Sequence, residues 1–358
     1  MATNLIMEIL IMVATTFIFV VFITPFIKHT AIHIGAVDVP DERKIHNKVM
    51  PRLGGLGIFL GFLLGYMLFG QPSAVMNSIL IGSFIIVMTG VIDDIKPLRA
   101  STKFIGQLAS ALTLVIYGGL LIKDISALGI YINFGMFAYP LTIFFILGCI
   151  NCMNLIDGLD GLAGGISSIY FLTIGIIATI QGKTGLDFTL TFVMLGSTLG
   201  FLVHNFYPAS IFMGDSGSMF LGFIIGSISL LGFKNVTLTS LIIPLLVLAI
   251  PILDTLFAIV RRMLKGKDIA APDKFHIHHQ LLNRNFSQRT TVLVIYFIDL
   301  IFAATSIIYV LKDRYLGYAM YGILLLIVII FVAKTNVVID HDQVREKFKD
   351  KILKKLKK

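Results

Sequence analysis

Apolar positions in this chain gather in long unbroken runs rather than in the one-sided stripes of a water-facing helix. Eleven runs stand out, at roughly 5–27, 54–70, 74–92, 104–121, 137–153, 162–180, 187–203, 217–233, 236–260, 291–311 and 315–333. A bilayer core of about 30 Å takes about 20 apolar residues as one helix, so each run predicts a membrane span. No period-two alternation marks a β-barrel, and helices satisfy their own backbone groups in lipid. The first run lacks a basic leader and a small-residue cleavage site, and it is read as a retained span. The expected fold is all-α and polytopic, with about 11 transmembrane helices. A single helical domain covers 1–339, and a basic tail covers 340–358.

Composition agrees with the pattern. Of 358 residues, 57% are hydrophobic and only 14% are charged, with a mean hydropathy of +0.92. A soluble domain carries about a quarter charged residues, so soluble, fibrous and disordered classes are excluded together. The net charge of +9 is unevenly placed. Alternating the loops puts 28–53, 93–103, 154–161, 204–216, 261–290 and 334–358 on one side. Of the 29 Lys and Arg residues, the other side then keeps only Lys123, Lys183, Lys234, Lys312 and Arg314. By the positive-inside rule the rich side is cytoplasmic, which places the N-terminus outside and the C-terminus inside. The tail carries Val344, Phe348, Ile352, Leu353 and Leu356 at helical spacing, as an amphipathic segment on an anionic leaflet would. Cys149 and Cys152 sit within a span and are expected to pack as small apolar residues.

With so few acids, their positions carry information. Asp93 and Asp94 close the third span, Asn154, Asp157 and Asp160 close the fifth, and Asp215 precedes the eighth in GDSGS. A topology set by Lys and Arg alone puts all five Asp on the cytoplasmic side, and carboxylates kept at membrane ends usually face a cavity or a partner. Neighbouring residues on a helix diverge by about 100°, so Asp93 and Asp94 are expected to face different partners. The N-x-x-D-x-x-D spacing predicts one broad helical face for Asn154, Asp157 and Asp160. GDSGS resembles a serine-protease nucleophile motif, but no soluble domain supplies a triad. It is read instead as a turn presenting Asp215 to a metal, followed by a helix whose first amides favour phosphate.

Three basic loops flank these carboxylates: Arg43, Lys44, Lys48 and Arg52; Lys96, Arg99 and Lys103; and the loop 261–290. The last opens on Arg261 and Arg262 and holds His276, His278 and His279 without the spacing or Cys partners of a zinc site. Hard carboxylates suit Mg²⁺, with Mn²⁺ as an alternative, bridging to substrate phosphates. Cationic side chains suit the phosphates themselves. Together they point to phosphoryl transfer from a soluble phosphorylated donor to a lipid phosphate at the inner face. The rival class, a secondary transporter, calls for ionisable residues at mid-membrane, where only Asp299 stands.

The ordered blocks DERKIHNKVMPRLGG, GVIDD, NCMNLIDGLDGLAGG, NFYPASIFMGDSGS and FHIHHQLL resemble the polyprenyl-phosphate N-acetylhexosamine-1-phosphate transferases. That superfamily includes the phospho-MurNAc-pentapeptide translocase. The interrupted His run, the PRLGG turn and PILDTLFAIVRR resemble the N-acetylglucosaminyl branch, and the basic tail with PRLGG favours the enzyme that starts wall teichoic acid. The resemblance implies UDP-GlcNAc and undecaprenyl phosphate as substrates, UMP as product, a lipid bilayer as setting, and Mg²⁺ dependence. Nucleic acid is not an expected partner, and a homodimer is compatible with it. It also implies that one of Asp93 and Asp94 deprotonates the lipid phosphate and that Asp215 binds magnesium. Asn154, Asp157 and Asp160, with Lys48 and Lys103, match residues near the nucleotide and diphosphate. His276, His278 and His279 match a loop at the sugar and diphosphate end, to which Arg261 and Arg262 belong.

Overall fold

The computed structural model describes residues 2–40, 48–127, 130–232, 248–264, 277–311 and 314–333. The helices are α1 (Ala2–Ile34), α2 (Gly54–Phe69), α3 (Ala74–Ile95), α4 (Ala100–Leu112), α5 (Ala138–Ile156) and α6 (Leu162–Ile180). They continue with α7 (Leu186–Asn205), α8 (Gly214–Gly232), α9 (Ala249–Leu264), α10 (Ile277–Asn283), α11 (Gln288–Leu311) and α12 (Arg314–Ala333). The described residues also form two short antiparallel pairs: β1 (Val37–Asp38) with β2 (Met50–Pro51), and β3 (Asp124–Ala127) with β4 (Ile130–Asn133).

Among the described residues, seven helices are long and apolar enough to cross a membrane, and α2 and Leu316–Ile327 are shorter apolar helices. The chain is thus an all-α polytopic membrane protein. The predicted span at 236–260 is described only in its second half, because 233–247 and the tail at 334–358 lie outside the described residues.

α8 forms the centre of the bundle, buried along nearly its whole length and packed on α2, α3 and α5. Apolar surface gives little drive for association in lipid, so close approach of small residues has to hold helices together. Gly222 shows this directly: a Cβ there would stand 2.5 Å from the Cα of Ile150 on α5. α1 packs on α2 and α7 along a face that buries Met12, Thr16, Val20, Thr24, Ile27 and Ala31, while Phe22 and Phe26 are exposed on the outside of the bundle. Cys149 is buried and Cys152 half-buried, and both thiols are free. Cys149 packs beside Gly222 and Gly226.

Three boundaries differ from the sequence reading. α1 continues to Ile34, beyond the apolar run, because only Gly35 with φ +77° stops it. The run at 104–121 becomes α4 followed by a π-turn at Thr113–Tyr117, and then the β3–β4 hairpin. α5 ends at Ile156, so Asn154, Asp157 and Asp160 do not share one helical face. Asp157 is the C-cap, and the chain turns through Gly161 at φ +80° into α6.

Candidate functional site

The site is assembled where β2, α3, α4, α5 and α8 meet at one end of the bundle. Residues 51–55 run beside 212–213: Phe212 N donates to Pro51 O at 2.8 Å, Gly54 N to Phe212 O at 3.0 Å and Gly55 N to Met213 O at 2.8 Å. The approach requires glycine. A Cβ on Gly55 would lie 2.0 Å from Gly217 N, and one on Gly90 would lie 2.3 Å from the Cα of Ser216. The start of α8 is therefore pressed between α2 and α3.

Asp93 and Asp94 follow each other on α3 and, as their angular offset requires, face different partners. Asp94 accepts from Asp215 N at 2.8 Å and Ser216 N at 3.0 Å, one amide on each oxygen. It caps α8 from another helix, its charge set against the positive end of the helix dipole. Those two amides are thus already engaged, which corrects the expectation that they are open to phosphate. Asp93 turns the other way and accepts from Leu98 N at 2.8 Å and Lys103 Nζ at 3.2 Å. Lys103 also donates to Asp215 Oδ2, so one ammonium joins α3, α4 and α8.

Arg52, immediately after β2, reaches the other side of Asp215. Its guanidinium is 3.7 Å from Asp215 Oδ1, 3.6 Å from Asp94 Oδ1 and 3.7 Å from Asp38 Oδ1. Burial works against the charge on both cations. For Arg52 the surrounding Asp94, Asp215, Asp38 and Asp157 outweigh it, and the pKa is raised. Lys103 is held charged in the same way by Asp215 and Asp93. The sequence reading placed Arg52 in a basic loop flanking the carboxylates and gave it no individual role. Its signal was the adjoining Gly54-Gly55 pair, which marks a close backbone approach.

The α5–α6 turn closes another side. Asn154 Nδ2 donates to Ser218 Oγ at 2.9 Å, and Asp160 Oδ2 accepts from Ala209 N at 2.9 Å. Asp157 keeps some open surface and lies within the electrostatic reach of Asp215, Arg52, Asp94 and Asp160. Burial, with Asp215 adding repulsion, pushes its carboxyl up to about 8. Sequence reasoning also missed Asn205 and Tyr296, which hold Gly161 from α7 and α11: Asn205 Oδ1 accepts from Gly161 N at 3.1 Å, and Tyr296 Oη donates to Gly161 O.

The structure therefore brings together Asp93, Asp94, Lys103, Asn154, Asp157, Asp160 and Asp215. Lys48 lies exposed ahead of β2. Arg261 and Arg262 are buried near the end of α9, which packs on α5 and α11. His279 is half-buried in α10, tied to α9 by Ile277 N donating to Asp254 Oδ1 at 2.8 Å. His278 belongs to the same helix, and His276, Arg43 and Lys44 lie outside the described residues.

Among the described residues, no three His, Cys, Asp or Glu side chains form a ready-made metal cage. A Mg²⁺ ion does not need one, since it commonly keeps waters and takes one or two carboxylates plus substrate phosphates. Asp215, with 15% of its side chain open, and Asp157, whose carboxyl feels the Asp215 charge, fit that demand in kind.

The profile of glycosyl transferase family 4 matches residues 76–233. That stretch contains Asp93, Asp94, Lys103, Asn154, Asp157, Asp160 and Asp215. A Bacillus subtilis (strain 168) protein named "Probable undecaprenyl-phosphate N-acetylglucosaminyl 1-phosphate transferase" is 44% identical over 86% of each chain. The decaprenyl-phosphate N-acetylglucosaminephosphotransferase of Mycolicibacterium smegmatis is 34% identical, covering 79% of this chain and 77% of its own. The undecaprenyl-phosphate alpha-N-acetylglucosaminyl 1-phosphate transferase of Salmonella typhi is 30% identical, covering 76% and 77%. The chain belongs to glycosyl transferase family 4, in the branch of polyprenyl-phosphate N-acetylglucosamine-1-phosphate transferases.

Proposed function

We propose that this protein transfers N-acetylglucosamine 1-phosphate from UDP-GlcNAc to undecaprenyl phosphate, releasing UMP. The product, undecaprenyl-diphospho-GlcNAc, begins a cell-wall polymer, with wall teichoic acid as the preferred destination. The observation that carries the reading is the joint hold of Lys103 and Arg52 on Asp215 at one end of a lipid-embedded bundle. Cations that can take phosphate oxygens stand beside carboxylates that can take a metal. The Lys and Arg distribution supports a cytoplasmic position for this end, an outside N-terminus and about 11 spans in all.

An oxygen of the lipid phosphate attacks the sugar-linked phosphorus of the donor. The bond from that phosphorus to the bridging oxygen breaks, and its electron pair leaves with UMP. Positioning and charge neutralisation carry most catalysis in such transfers. Lys103 and Arg52 bind diphosphate oxygens, and Asp93 keeps Lys103 in place. Asp215 with Asp157 would hold Mg²⁺ or Mn²⁺, which supplies charge neutralisation at the diphosphate. The Asp pair divides its work. Asp94 is fully buried on its two amides and holds α8, and the role of taking a proton from the acceptor falls in this reading to Asp93, whose side chain is 9% open.

UMP release by purified protein in detergent tests this. Release should require UDP-GlcNAc together with undecaprenyl phosphate. Release with UDP-MurNAc-pentapeptide instead would move the protein to the translocase branch, and a phosphorylated enzyme trapped without lipid would replace direct attack with a covalent route.

A further inference from the structure

Asp215 has two carboxylate oxygens, and a cation covers each: Lys103 at Oδ2 and Arg52, 3.7 Å away, at Oδ1. The two are not held alike. Lys103 is fixed by a second carboxylate, Asp93, at 3.2 Å. Arg52 stands 3.6–3.7 Å from Asp38, Asp94 and Asp215, beyond hydrogen-bond length from all three. Its charge is shared among three acids, while its fork of N–H donors closes on none of them. The Arg52 side chain is also the more open, 28% against 23% for Lys103 and 15% for Asp215. Its backbone is fixed, since Arg52 N donates to Ala36 O at 3.0 Å and the flanking Pro51 O accepts from Phe212 N. A firm backbone with a loosely held, open guanidinium describes a side chain that can turn.

We propose that Arg52 is the internal counter-ion of Asp215, giving way to a divalent cation there and turning its fork onto the donor diphosphate. The proposal rests on the phosphotransferase reading given above. A planar guanidinium suits two phosphate oxygens at once, which an ammonium does not. Lys103, doubly held, stays in place. Arg52 and the metal therefore compete in the absence of nucleotide and cooperate in its presence.

Mn²⁺ binding to the purified protein, read by electron paramagnetic resonance without nucleotide, separates these roles from activity. UDP binding at saturating Mn²⁺ supplies the second readout. Arg52→Gln should bind Mn²⁺ at least about fivefold more tightly, because a nearby positive charge is gone. Its UDP affinity should fall about tenfold or more, with the loss of a charge-assisted fork. Arg52→Lys keeps the charge without the fork, so Mn²⁺ affinity should stay within about twofold while UDP affinity still falls at least about fivefold. Unchanged or weaker Mn²⁺ binding in Arg52→Gln, or full UDP affinity in Arg52→Lys, overturns the assignment of Arg52 alone. Wild-type protein that binds no Mn²⁺ overturns the metal site of the proposed function, and the role of Arg52 with it. If Arg52→Gln cannot be obtained folded, the UDP arm of Arg52→Lys decides.

Discussion

Asp94 and Asp299 are both buried carboxylates inside apolar helices, 4% and 0% exposed, and their surroundings are opposite. Asp94 stands at the end of α3 and receives two backbone amides from α8, with the Arg52 guanidinium nearby. Asp299 lies in the middle of α11, and neither of its oxygens has a hydrogen-bond partner among the described residues. Burying a charge is tolerated when donors and an opposite charge offset the lost water. The structure supplies two donors and an opposite charge to Asp94, and no hydrogen-bond donor to Asp299 among the described residues. A buried acid marks the working site only where the fold has been built around it, and Asp299 is not such a place. The comparison also weakens the transporter reading, for which Asp299 was the mid-membrane candidate.

The comparison breaks most severely through the glycine seam. Gly55→Val puts side-chain atoms where Gly217 N stands, 2.0 Å from an ideal Cβ, and pushes α8 off Asp94. The expected loss is about 3 kcal/mol or more, seen as loss of folded protein on size exclusion and thermal unfolding in detergent. Asp94→Ala comes next. It leaves the Asp215 and Ser216 amides without their acceptor, for an expected cost of about 2 kcal/mol together with loss of activity. Asp93→Asn should keep the Leu98 bond through its amide oxygen, hold stability within about 1 kcal/mol and lower turnover. Equal destabilisation by the two variants would erase the division of labour between neighbours.

A smaller effect is expected from Asp157. Its folded-state carboxyl, pushed up to about 8, keeps a proton that the unfolded chain releases near pH 4. That contribution is full below about pH 4 and is lost as pH rises toward about 8. Metal-free protein should therefore become easier to unfold across that window, and Asp157→Asn should flatten the slope. The smallest effect belongs to Asp299→Leu, which removes two unpartnered oxygens. Stability should stay within about 1 kcal/mol or improve, with activity within about twofold. A large loss there would show that α11 hides partners of its own.

The apolar runs and the Asp clusters were legible because lipid leaves so few options: charges are rare, and helices alone satisfy the backbone. The convergence of Asp93, Asp94, Asp157, Asp160 and Asp215 at one end followed from alternating spans. Helix ends were less legible. α1 runs past Lys28 and His29 to Ile34, since hydropathy marks where lipid ends and not where the backbone stops coiling. The break after Ile156 was masked by an N-x-x-D-x-x-D spacing that fits a helix equally well. The capture of the Asp215 and Ser216 amides by Asp94 joins residues more than a hundred positions apart, and no local pattern encodes it. Arg52 was hidden for the same reason, since its three acids come from β1, α3 and α8.

The central claim is that the cluster around Asp215 performs the transfer. Its most direct test is lipid-dependent UMP release from UDP-GlcNAc by wild-type protein and Asp215→Asn, measured side by side at saturating Mg²⁺. The account predicts a fall of at least about a hundredfold in the variant, as for loss of one central electrostatic element, with an intact folded bundle. Turnover near that of the wild type would contradict it.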